Sequence, residues 1–444
     1  MKKALIVPSN TDLNRGDQAL TWATIDLVKD CLGKDTEIII YKTNNKLANE
    51  LGTNKQTEEL GHKMINRVLS HPRRNDNDSS ISFGPLRLIK WGTRALFDTA
   101  KTLMLLSRFK VINRVGFGLL SKDEKKSYEA FSEVDYLFVK GGGFLHSYGS
   151  LVDSYVMYFQ LFDVFLAKRM EKKVFILPNS IGPFKNTFAK KIILKATAYA
   201  SLLTVRENKS LALLKKFNLN PKYYPDLGFY LKRTKINFSS YLLDTHKINI
   251  SKGTHIALTA RPYRFDGHAK SDDLYRKYLD GLVTCVEALL KVDSVHLTLV
   301  SHTLGPSAHE NDDIAIKAIH TKLGKRPKLH YLYDKSLNSQ DLQEIYKLYD
   351  LMIGTRFHSV IFALNSGTPS LAIAYGGNKA YGIMHEIGLS EYVYPIEDLQ
   401  PERLVADAKF ILKDNSFYLD KLKIYQRTID ESRLDLIRSI KKEL

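Results

Sequence analysis

An arginine and a histidine stand at a sharp boundary in the sequence, where a short apolar run gives way to a helical pattern. Arg356 and His358 come just after residues 351–353, a run with the length of a buried strand. The helix that follows is predicted to have Thr355 as its N-cap and to continue to about Asn365. Arginine presents a planar fork of donors that suits a carboxylate or phosphate, and histidine can donate or accept a proton near neutral pH. The pair predicts anion binding combined with acid–base chemistry; the alternative is two surface residues at an ordinary helix start.

The elements around this pair predict where it lies. Residues 351–353 and 370–374 both have the pattern of buried strands, and open α/β sheets bind ligands at the carboxyl ends of such strands. Helix N-termini at these ends present free N–H groups and the positive end of the helix dipole. Gly376 and Gly377 follow the second strand, so the backbone can approach a ligand closely there.

Three more candidate binding residues occupy the same kind of position, directly after a predicted strand. Because sites in α/β proteins lie at the carboxyl ends of parallel strands, we expect these loops to converge on the cleft between two domains. The three residues are Arg206 after residues 202–205, Arg261 after residues 255–259 and His302 after residues 295–300. The alternative for Arg206 is a simple ion pair with the adjacent Glu207.

The first predicted strand, residues 4–7, is followed by a polar loop and then by a helix that ends at about Cys31. Asn14 and Asp17 lie at this loop. Asp17 is predicted to cap the helix, because aspartate is common at helix starts; the alternative is a contact with a sugar hydroxyl. The loop lacks the full glycine fingerprint of dinucleotide-binding proteins.

A glycine-rich segment follows another predicted strand, residues 135–139. It contains Lys140 and three glycines, of which Gly142 and Gly143 are the candidates for close approach to a ligand. Its backbone N–H groups could bind an anion or a hydroxyl. The alternative is a loop that must bend sharply.

Four motifs, taken in order, resemble those of the polysaccharide pyruvyl transferase family. They are N-x-G-D-x-A from Asn14, K-G-G-G from Lys140, T-V-R-E from Thr204, and G-T-R-F-H-S from Gly354 followed by A-x-x-x-G-T-P. The resemblance extends from residue 1 to about 390, with a gap near 45–130. It implies an α/β fold of two Rossmann-like domains with parallel sheets in a glycosyltransferase-B-like arrangement. It also implies transfer of a pyruvyl group from phosphoenolpyruvate onto two hydroxyls of a sugar, which forms a cyclic ketal.

The resemblance assigns roles to the candidate residues. Phosphoenolpyruvate carries a carboxylate and a phosphate, and Arg206, Arg261 and Arg356 are the cations available to bind them. Arg356 and His358 are the expected catalytic pair, with His358 as general acid or base since its reference pKa is near 6.5. No step requires a metal ion or a nicotinamide cofactor. Two alternatives stay open: a glycosyltransferase that uses a nucleotide sugar, with Glu386 as the nearby ribose-binding candidate, and a non-catalytic protein that binds carbohydrate or membrane.

The length and composition predict a globular protein of two domains. The chain has 444 residues, of which 44% are hydrophobic and 26% charged, and it is too long for one ordinary core. We expect an N-terminal domain over residues 1–235, with a basic insertion at about 60–128, and a C-terminal domain over 250–425. A polar linker is expected at 232–253, and by analogy the last helix, 426–444, could cross back to the first domain.

The formal charge of +18 favours anionic partners such as phosphorylated substrates or an acidic membrane surface. No zinc-finger spacing, RNP-like motif or basic zipper is present, so nucleic acid is not expected as a partner. Cys31 and Cys285 form no disulfide or metal pattern, which fits a reducing compartment. Neither a signal-peptide pattern nor a run of about 18 apolar residues occurs, so a cytoplasmic protein is predicted.

The stretch 85–114 mixes large apolar residues with arginine and lysine at helical spacing. From Arg73 to Arg114 there are nine Lys/Arg residues against three Asp. A basic amphipathic helix can lie in a membrane interface, where the protein would meet a lipid-linked acceptor at the inner face. The alternative is a helix packed on its own domain with a solvated basic face. The acceptor sugar and the oligomeric state are not predicted.

Overall fold

Two units divide the chain, and each is built around its own sheet. The computed structural model describes residues 1–43, 46–74, 84–150, 152–265, 268, 270–376 and 379–444, and every structural statement below concerns these residues. Unit 1 contains Met1–Asp12, Leu20–Leu227 and Ser432–Leu444. Unit 2 contains Leu13–Ala19 and Gly228–Glu431.

The sheet of unit 1 is parallel throughout, and helices connect its strands. In space the strand order is β3-β2-β1-β4-β6-β7-β8, with β5 paired to β6. The strands are β1 (Lys3–Asn10), β2 (Glu37–Lys42), β3 (Lys63–Ile65), β4 (Tyr136–Val139), β5 (Gly142–Ser147), β6 (Lys173–Phe184), β7 (Leu202–Val205) and β8 (Lys222–Tyr223). The helices from the start of the chain are α1 (Arg15–Leu32), α2 (Lys46–Glu50), α3 (Lys55–Glu58), α4 (Pro85–Leu105), α5 (Lys110–Gly118), α6 (Lys122–Glu133), α7 (Asp153–Arg169), α8 (Thr187–Thr197) and α9 (Asn208–Lys215).

The central strands of unit 1 form because their apolar residues are continuous rather than alternating. Helices cover both faces of a parallel sheet, so both sets of side chains must be apolar. Residues 4–7 of β1 are almost completely buried. Phe138 of β4 and Phe175 of β6 stack with their ring centres 4.9 Å apart, which adds an aromatic contact to the core of this sheet.

The sheet of unit 2 has the strand order β11-β10-β9-β12-β13-β14, and all its pairs are parallel. This is the doubly wound order, which reverses direction between β9 and β12. The strands are β9 (Thr254–Thr259), β10 (Val295–Val300), β11 (Leu329–Leu332), β12 (Leu351–Gly354), β13 (Ser370–Ala374) and β14 (Val393–Pro395). The remaining helices are α10 (Ser239–His246), α11 (Ser271–Leu290), α12 (Asp313–Leu323), α13 (Ser339–Tyr346), α14 (Phe357–Asn365), α15 (Lys379–Ile387), α16 (Pro401–Lys413) and α17 (Ser416–Glu443).

The last helix, α17, begins in unit 2, and its residues from Ser432 onward belong to unit 1. Two side chains of this final part pack on β8: the Tyr224 hydroxyl, just after that strand, donates to Asp435 at 2.7 Å and lies 2.8 Å from Oγ of Ser439. At the other end of the chain, Leu13–Ala19 belongs to unit 2 although its neighbours on both sides belong to unit 1.

One local prediction from the sequence is wrong. The expected linker at 232–253 contains helix α10 and belongs to unit 2, because Leu242 and Ile248 are buried there. The glycine segment after β4 does not match the alternative interpretation, a loop that must bend sharply. From Gly142 it forms strand β5, which pairs with β6.

Helix α4, in the predicted basic insertion, is attached to unit 1 by buried ion pairs. Asp98 and Lys101 are both buried, and Nζ of Lys101 lies 3.1 Å from Oδ1 of Asp98. Nζ of Lys101 also donates to both carboxylate oxygens of Glu124 at 2.9 Å. Glu124 in turn forms a capping box with Ser121 at the start of α6. Burial would raise the pKa of Glu124, but the hydrogen bonds from Lys101 and Ser121 outweigh it, and the pKa lies below its ordinary value.

None of the helices in the described residues combines the length and the apolar character needed to cross a membrane.

The ion pairs of α4 lead to a prediction about stability. Lys101→Met leaves the carboxylates of Asp98 and Glu124 buried without their shared cation, and breaking a buried pair in this way costs about 3–5 kcal/mol of the free energy of unfolding. We expect a lower urea midpoint near pH 7 and a smaller difference at acidic pH, where the carboxyl groups are protonated. Lys90→Met, an exposed lysine on the same helix, is the control and should stay within about 0.5 kcal/mol of the original chain. Equal midpoints for the two variants would contradict a structural role for Lys101.

Candidate active site

Four neighbouring strands of the sheet in unit 2 end beside candidate residues. His302 follows β10, Arg261 follows β9, Arg356 follows β12 and Gly376 follows β13. Because these four strands are adjacent and parallel, the four residues lie along one edge of the sheet. The strand order reverses between β9 and β12, which is where open α/β sheets form their binding crevice.

Arg356 itself occupies the N-cap position of α14. The prediction that Thr355 is the N-cap is therefore wrong. The Thr355 hydroxyl donates to the carbonyl of Thr259 at 2.8 Å, so it ties β12 to β9 instead of capping the helix. Arg356 has an extended backbone, and α14 begins with Phe357. The end of the strand and the start of the helix thus hold Arg356 between them.

The Arg356 guanidinium is buried and forms an ion pair with Asp312. Its Nε donates to Oδ1 of Asp312 at 2.7 Å, and Oδ2 of Asp312 accepts the backbone N–H of Thr303 at 2.8 Å. Burial alone would lower the pKa of Arg356, but the adjacent carboxylate outweighs burial and raises it above its ordinary value. Nη2 of Arg356 is buried and has no hydrogen-bond partner among the described residues. A guanidinium that is held by a carboxylate through one nitrogen and has a second nitrogen without a hydrogen-bond partner is suited to binding an anion.

Arg261 is held by aromatic rings. Its guanidinium carbon lies 4.0 Å from the ring centre of Tyr375 and 5.3 Å from that of Tyr263, a cation–π arrangement. Its Nε is buried, and it has no hydrogen-bond partner in the part of the chain that the structure describes. Gly376, next to Tyr375, has a φ of +39°, which favours glycine. Gly377 lies outside the described residues.

His302 is buried between Tyr346 and Phe362. Its Nδ1 lies 3.0 Å from the Tyr346 hydroxyl oxygen, and its ring centre lies 5.2 Å from that of Phe362. Burial lowers the pKa of His302 well below its ordinary value, and the charge of Arg356 adds to this effect. Nε2 of this neutral ring is buried and makes no hydrogen bond to any described residue. It is a second unsatisfied polar atom near Arg356.

His358 lies against the N-terminal segment of the chain. A Cβ atom added at Gly16 would be 2.1 Å from Nδ1 of His358, so only glycine leaves room for the ring. Nζ of Lys379 lies 3.0 Å from Nε2 of the same ring. A protonated lysine can only donate, so Nε2 accepts from it and the ring hydrogen is on Nδ1. Two of the sequence motifs, from opposite ends of the chain, therefore meet at this histidine.

Backbone contacts explain why the segment Leu13–Ala19 belongs to unit 2. The carbonyl of Leu13 accepts the N–H of Leu304 at 2.7 Å, and Asn14 forms an antiparallel bridge with Thr303. Asn14 and the loop after β10 are thus fixed to each other beside the Arg356 site.

Asn14, rather than Asp17, provides a side-chain oxygen at the start of α1. The helix begins at Arg15, and Oδ1 of Asn14 accepts the N–H of Asp17 at 3.2 Å. The prediction that Asp17 caps this helix is therefore wrong, because the helix begins earlier and Asp17 lies inside its first turn.

Two acidic residues near Arg356 were not predicted from the sequence. Glu310 and Asp312 lie in the loop between β10 and α12. Burial raises the pKa of Glu310; the charge of Asp17 adds to the rise, while Arg356 and Arg261 oppose it. A carboxyl group with a raised pKa beside arginines is a candidate proton donor. The signal that could have identified them is the acidic run H-E-N-D-D shortly after a predicted strand.

In unit 1, Arg206 forms an ion pair within the protein. Its Nη1 donates to Asp226 at 2.6 Å, and its Nε donates to Oγ of Ser180 at 2.8 Å. The predicted alternative partner, Glu207, lies 3.8 Å from Nε. A Cβ atom added at Gly143 would lie 2.8 Å from Nη2, so this glycine makes room for the guanidinium. A contact between Arg206 and phosphoenolpyruvate stays a prediction.

Lys140 and Gly142 also make their contacts inside unit 1. Nζ of the buried Lys140 donates to the carbonyl of Ser9 at 3.2 Å and to Oγ1 of Thr21 at 3.0 Å. A Cβ atom added at Gly142 would lie 2.8 Å from the ring of Phe144. These contacts favour a structural role for the segment, and its contact with a ligand stays a prediction.

Comparison with solved structures shows the fold. The chain is similar to UDP-GlcNAc 2-epimerase from Neisseria meningitidis bound to UDP-GlcNAc, with 12% identity and a TM-score of 0.56. It is similar to HepE from Anabaena in complex with UDP-glucose, with 12% identity and a TM-score of 0.55. Each similarity covers 100% of both chains. At this identity it concerns the fold alone, and it confirms the predicted class of Rossmann-like domains with parallel sheets of the glycosyltransferase-B-like type.

Comparison with other sequences shows the family. The chain is similar to AmsJ, the amylovoran biosynthesis protein of Erwinia amylovora, with 24% identity over 329 residues that cover 72% of this chain and 74% of AmsJ. A family model described as polysaccharide pyruvyl transferase matches residues 14–377, a stretch that contains Asn14, Arg356 and His358. The chain belongs to the polysaccharide pyruvyl transferase family.

Proposed function

We propose that this enzyme transfers a pyruvyl group from phosphoenolpyruvate onto a sugar of a cell-surface polysaccharide or of its lipid-linked precursor, forming a cyclic ketal. Membership of the family supports a pyruvyl transferase. The similarity to AmsJ, named for amylovoran biosynthesis, supports a role in making an exopolysaccharide.

The observation that carries the proposal is a group of buried polar atoms without hydrogen-bond partners along one sheet edge. Nη2 of Arg356, Nε of Arg261 and Nε2 of His302 all lack a hydrogen-bond partner among the described residues. Leaving a buried donor unsatisfied costs free energy, more so when it is charged, so such atoms point to a ligand that satisfies them. The carboxylate and phosphate of phosphoenolpyruvate have the charge and the oxygen atoms for this.

The reaction needs three proton transfers and one leaving group. The first sugar hydroxyl loses its proton as its oxygen bonds to C2 of the donor, and C3 gains a proton to become the methyl group. The second hydroxyl oxygen then bonds to C2 as the bond from C2 to the phosphate oxygen breaks, and its proton leaves with the phosphate. Two protein groups with different proton affinities are therefore useful.

We assign these roles to Glu310 and His358. Glu310, with its raised pKa, holds the proton that is given to C3. His358, neutral and hydrogen-bonded to Lys379, takes the proton of the attacking hydroxyl once Lys379 shifts to the substrate. Arg356 and Arg261 hold the anionic groups and stabilise the departing phosphate. We assign Asn14 and Asp17, which flank the Gly16 that lies against His358, to contacts with the acceptor sugar.

His358→Ala should keep the fold and reduce phosphate release by about 10²–10⁴-fold, because a general acid or base contributes on that order. The measurement is phosphate release from phosphoenolpyruvate across a panel of sugar acceptors, with circular dichroism to check folding. His385→Ala, on the exposed face of α15, is the matched control and should retain full activity. If His358→Ala turns over at the original rate, the histidine has no part in proton transfer.

Arg356→Lys should weaken donor binding, because lysine keeps the charge but loses the planar fork. Loss of a hydrogen bond to a charged group costs about 1.5–3 kcal/mol, so kcat/KM for phosphoenolpyruvate should fall roughly 10- to 150-fold. Phosphoenolpyruvate should also raise the melting temperature of the original chain and of the exposed control Arg427→Lys, but not of Arg356→Lys.

The same thermal shift separates the proposed donor from the alternative one. Stabilisation by UDP-glucose or UDP-GlcNAc, together with none by phosphoenolpyruvate, would replace the proposal by a glycosyltransferase that uses a nucleotide sugar.

Glu310→Gln tests the proton donor through pH. A carboxyl group whose pKa is raised on folding stabilises the folded state below its unfolded pKa, and this contribution is lost as the pH rises through the folded pKa. The glutamine variant cannot ionise, so its melting temperature should match the original near pH 4 and exceed it at pH 8. Its phosphate release should fall by about 10²–10⁴-fold. Glu402→Gln, exposed on α16, should change neither property; a Glu310 variant that behaves like it would exclude Glu310 as the donor.

A further inference from the structure

Helix α4 buries two of its charged residues, along with Trp91 and Leu105, and exposes most of its large apolar ones. Asp98 and Lys101 are 0% and 3% exposed, whereas Leu86 and Leu96 are 84% and 74% exposed. An amphipathic helix packed on its own domain has the opposite arrangement. The exposed face of α4 is therefore not explained by packing within unit 1.

Most of the exposed apolar residues of α4 form a stripe along one face of the helix, and Leu88 lies outside it. Residues separated by three or four positions lie on the same face of a helix. Counting along the helix at these steps gives Leu86, Ile89, Thr93, Leu96, Ala100 and Leu103, all of which are exposed.

Helix α5 continues the apolar surface. It packs tightly on α4: a Cβ atom added at Gly116 would lie 2.8 Å from the backbone nitrogen of Leu105, and Nδ2 of Asn113 donates to the carbonyl of Leu105 at 2.6 Å. We call Pro85–Leu105 and Lys110–Gly118 together the α4–α5 hairpin. The exposed apolar residues of its turn and second helix are Phe109, Val111, Ile112 and Val115. Large exposed apolar patches bordered by polar residues mark interaction surfaces.

The exposed charges of the hairpin are all positive. Asp98 is the acidic residue of these two helices, and it is buried beside Arg74 and Lys101. The exposed basic residues of the hairpin and its turn are Arg87, Lys90, Arg108, Lys110 and Arg114. An apolar stripe bordered by basic residues alone has the two properties that an anionic bilayer surface requires.

A second copy of the same chain fits this surface less well. Two identical hairpins meeting face to face would bring their basic residues together, and helix pairs of that kind depend on opposite charges beside the apolar seam. Anionic lipid headgroups instead neutralise the basic residues, while the apolar side chains enter the boundary of the acyl chains.

We propose that the α4–α5 hairpin docks on the surface of an anionic lipid bilayer without crossing it. Docking there would bring the enzyme to acceptor sugars carried on lipid, a consequence that rests on the proposed function, whereas the docking itself does not.

The test is co-sedimentation of the full-length protein with vesicles of phosphatidylcholine alone or mixed with phosphatidylglycerol, at low and high salt. We expect binding that requires phosphatidylglycerol and weakens in high salt.

A basic variant carries Arg87, Lys90, Arg108 and Lys110 replaced by Gln, and it should lose roughly fivefold in affinity for each replacement. Lys101 is left unchanged because it is buried in the ion pairs of α4. The matched control replaces Lys215, Lys216, Lys409 and Lys413 by Gln, all exposed elsewhere, and should bind like the original.

An apolar variant separates the contribution of the apolar side chains to vesicle binding from that of the basic ones. Leu86, Ile89 and Leu96 replaced by Ser should remove the binding that survives in high salt, with an unchanged circular dichroism spectrum. Absence of vesicle binding by the original chain, or equal binding by the basic variant and its control, would overturn the proposal. So would self-association in the absence of lipid that the apolar variant abolishes, because the hairpin would then be an interface between copies. None of these outcomes depends on phosphoenolpyruvate, so they leave the proposed function to its own experiments.

Discussion

The buried ion pair between Arg356 and Asp312 is the interaction on which the candidate site depends. Two charges removed from water are tolerated only when each is compensated, and loss of one partner leaves the other buried and unpaired. Asp312 meets this condition by accepting from both Arg356 and the N–H of Thr303. The pair therefore fixes the loop after β10 against the start of α14. It also orients the guanidinium so that Nη2 is left unsatisfied among the described residues, while Thr303 connects this arrangement to Asn14.

Arg206 and Arg356 show why the position of a residue in the sequence is not enough to identify a binding residue. Both follow a buried strand and precede a helix, so the sequence pattern treats them alike. In the structure, Arg206 donates to Asp226 and Ser180 from two different nitrogens. Among the described residues, Arg356 has one carboxylate partner, and its buried Nη2 has no partner. The difference arises from which acid lies nearby, and that acid is distant in sequence in both cases.

Local patterns in the sequence predict much of the fold, whereas contacts between residues distant in sequence are not predicted. Continuous apolar strands alternating with helices indicate parallel sheets, and strand ends indicate where Arg261, His302 and Arg356 lie, because these are local patterns. The contact between Gly16 and His358 is not local: it needs the segment Leu13–Ala19 to pack in unit 2. Glu310 was missed for a related reason, since its raised pKa comes from burial rather than from its neighbours in sequence.

The sequence of α4 predicts a helix, but it does not predict which face of that helix turns outward. Its amphipathic spacing predicts a helix, and ordinary packing would turn the leucines inward. The structure turns them outward because Lys101 must lie between Asp98 and Glu124. Buried ion pairs contribute less to stability than an apolar contact of the same size, but they accept only one geometry. A helix held in this way cannot rotate its leucines toward unit 1 without taking Lys101 away from Glu124, which would leave that carboxylate without its cation. The apolar stripe is therefore fixed on the outside of the protein by the same charges that attach the helix.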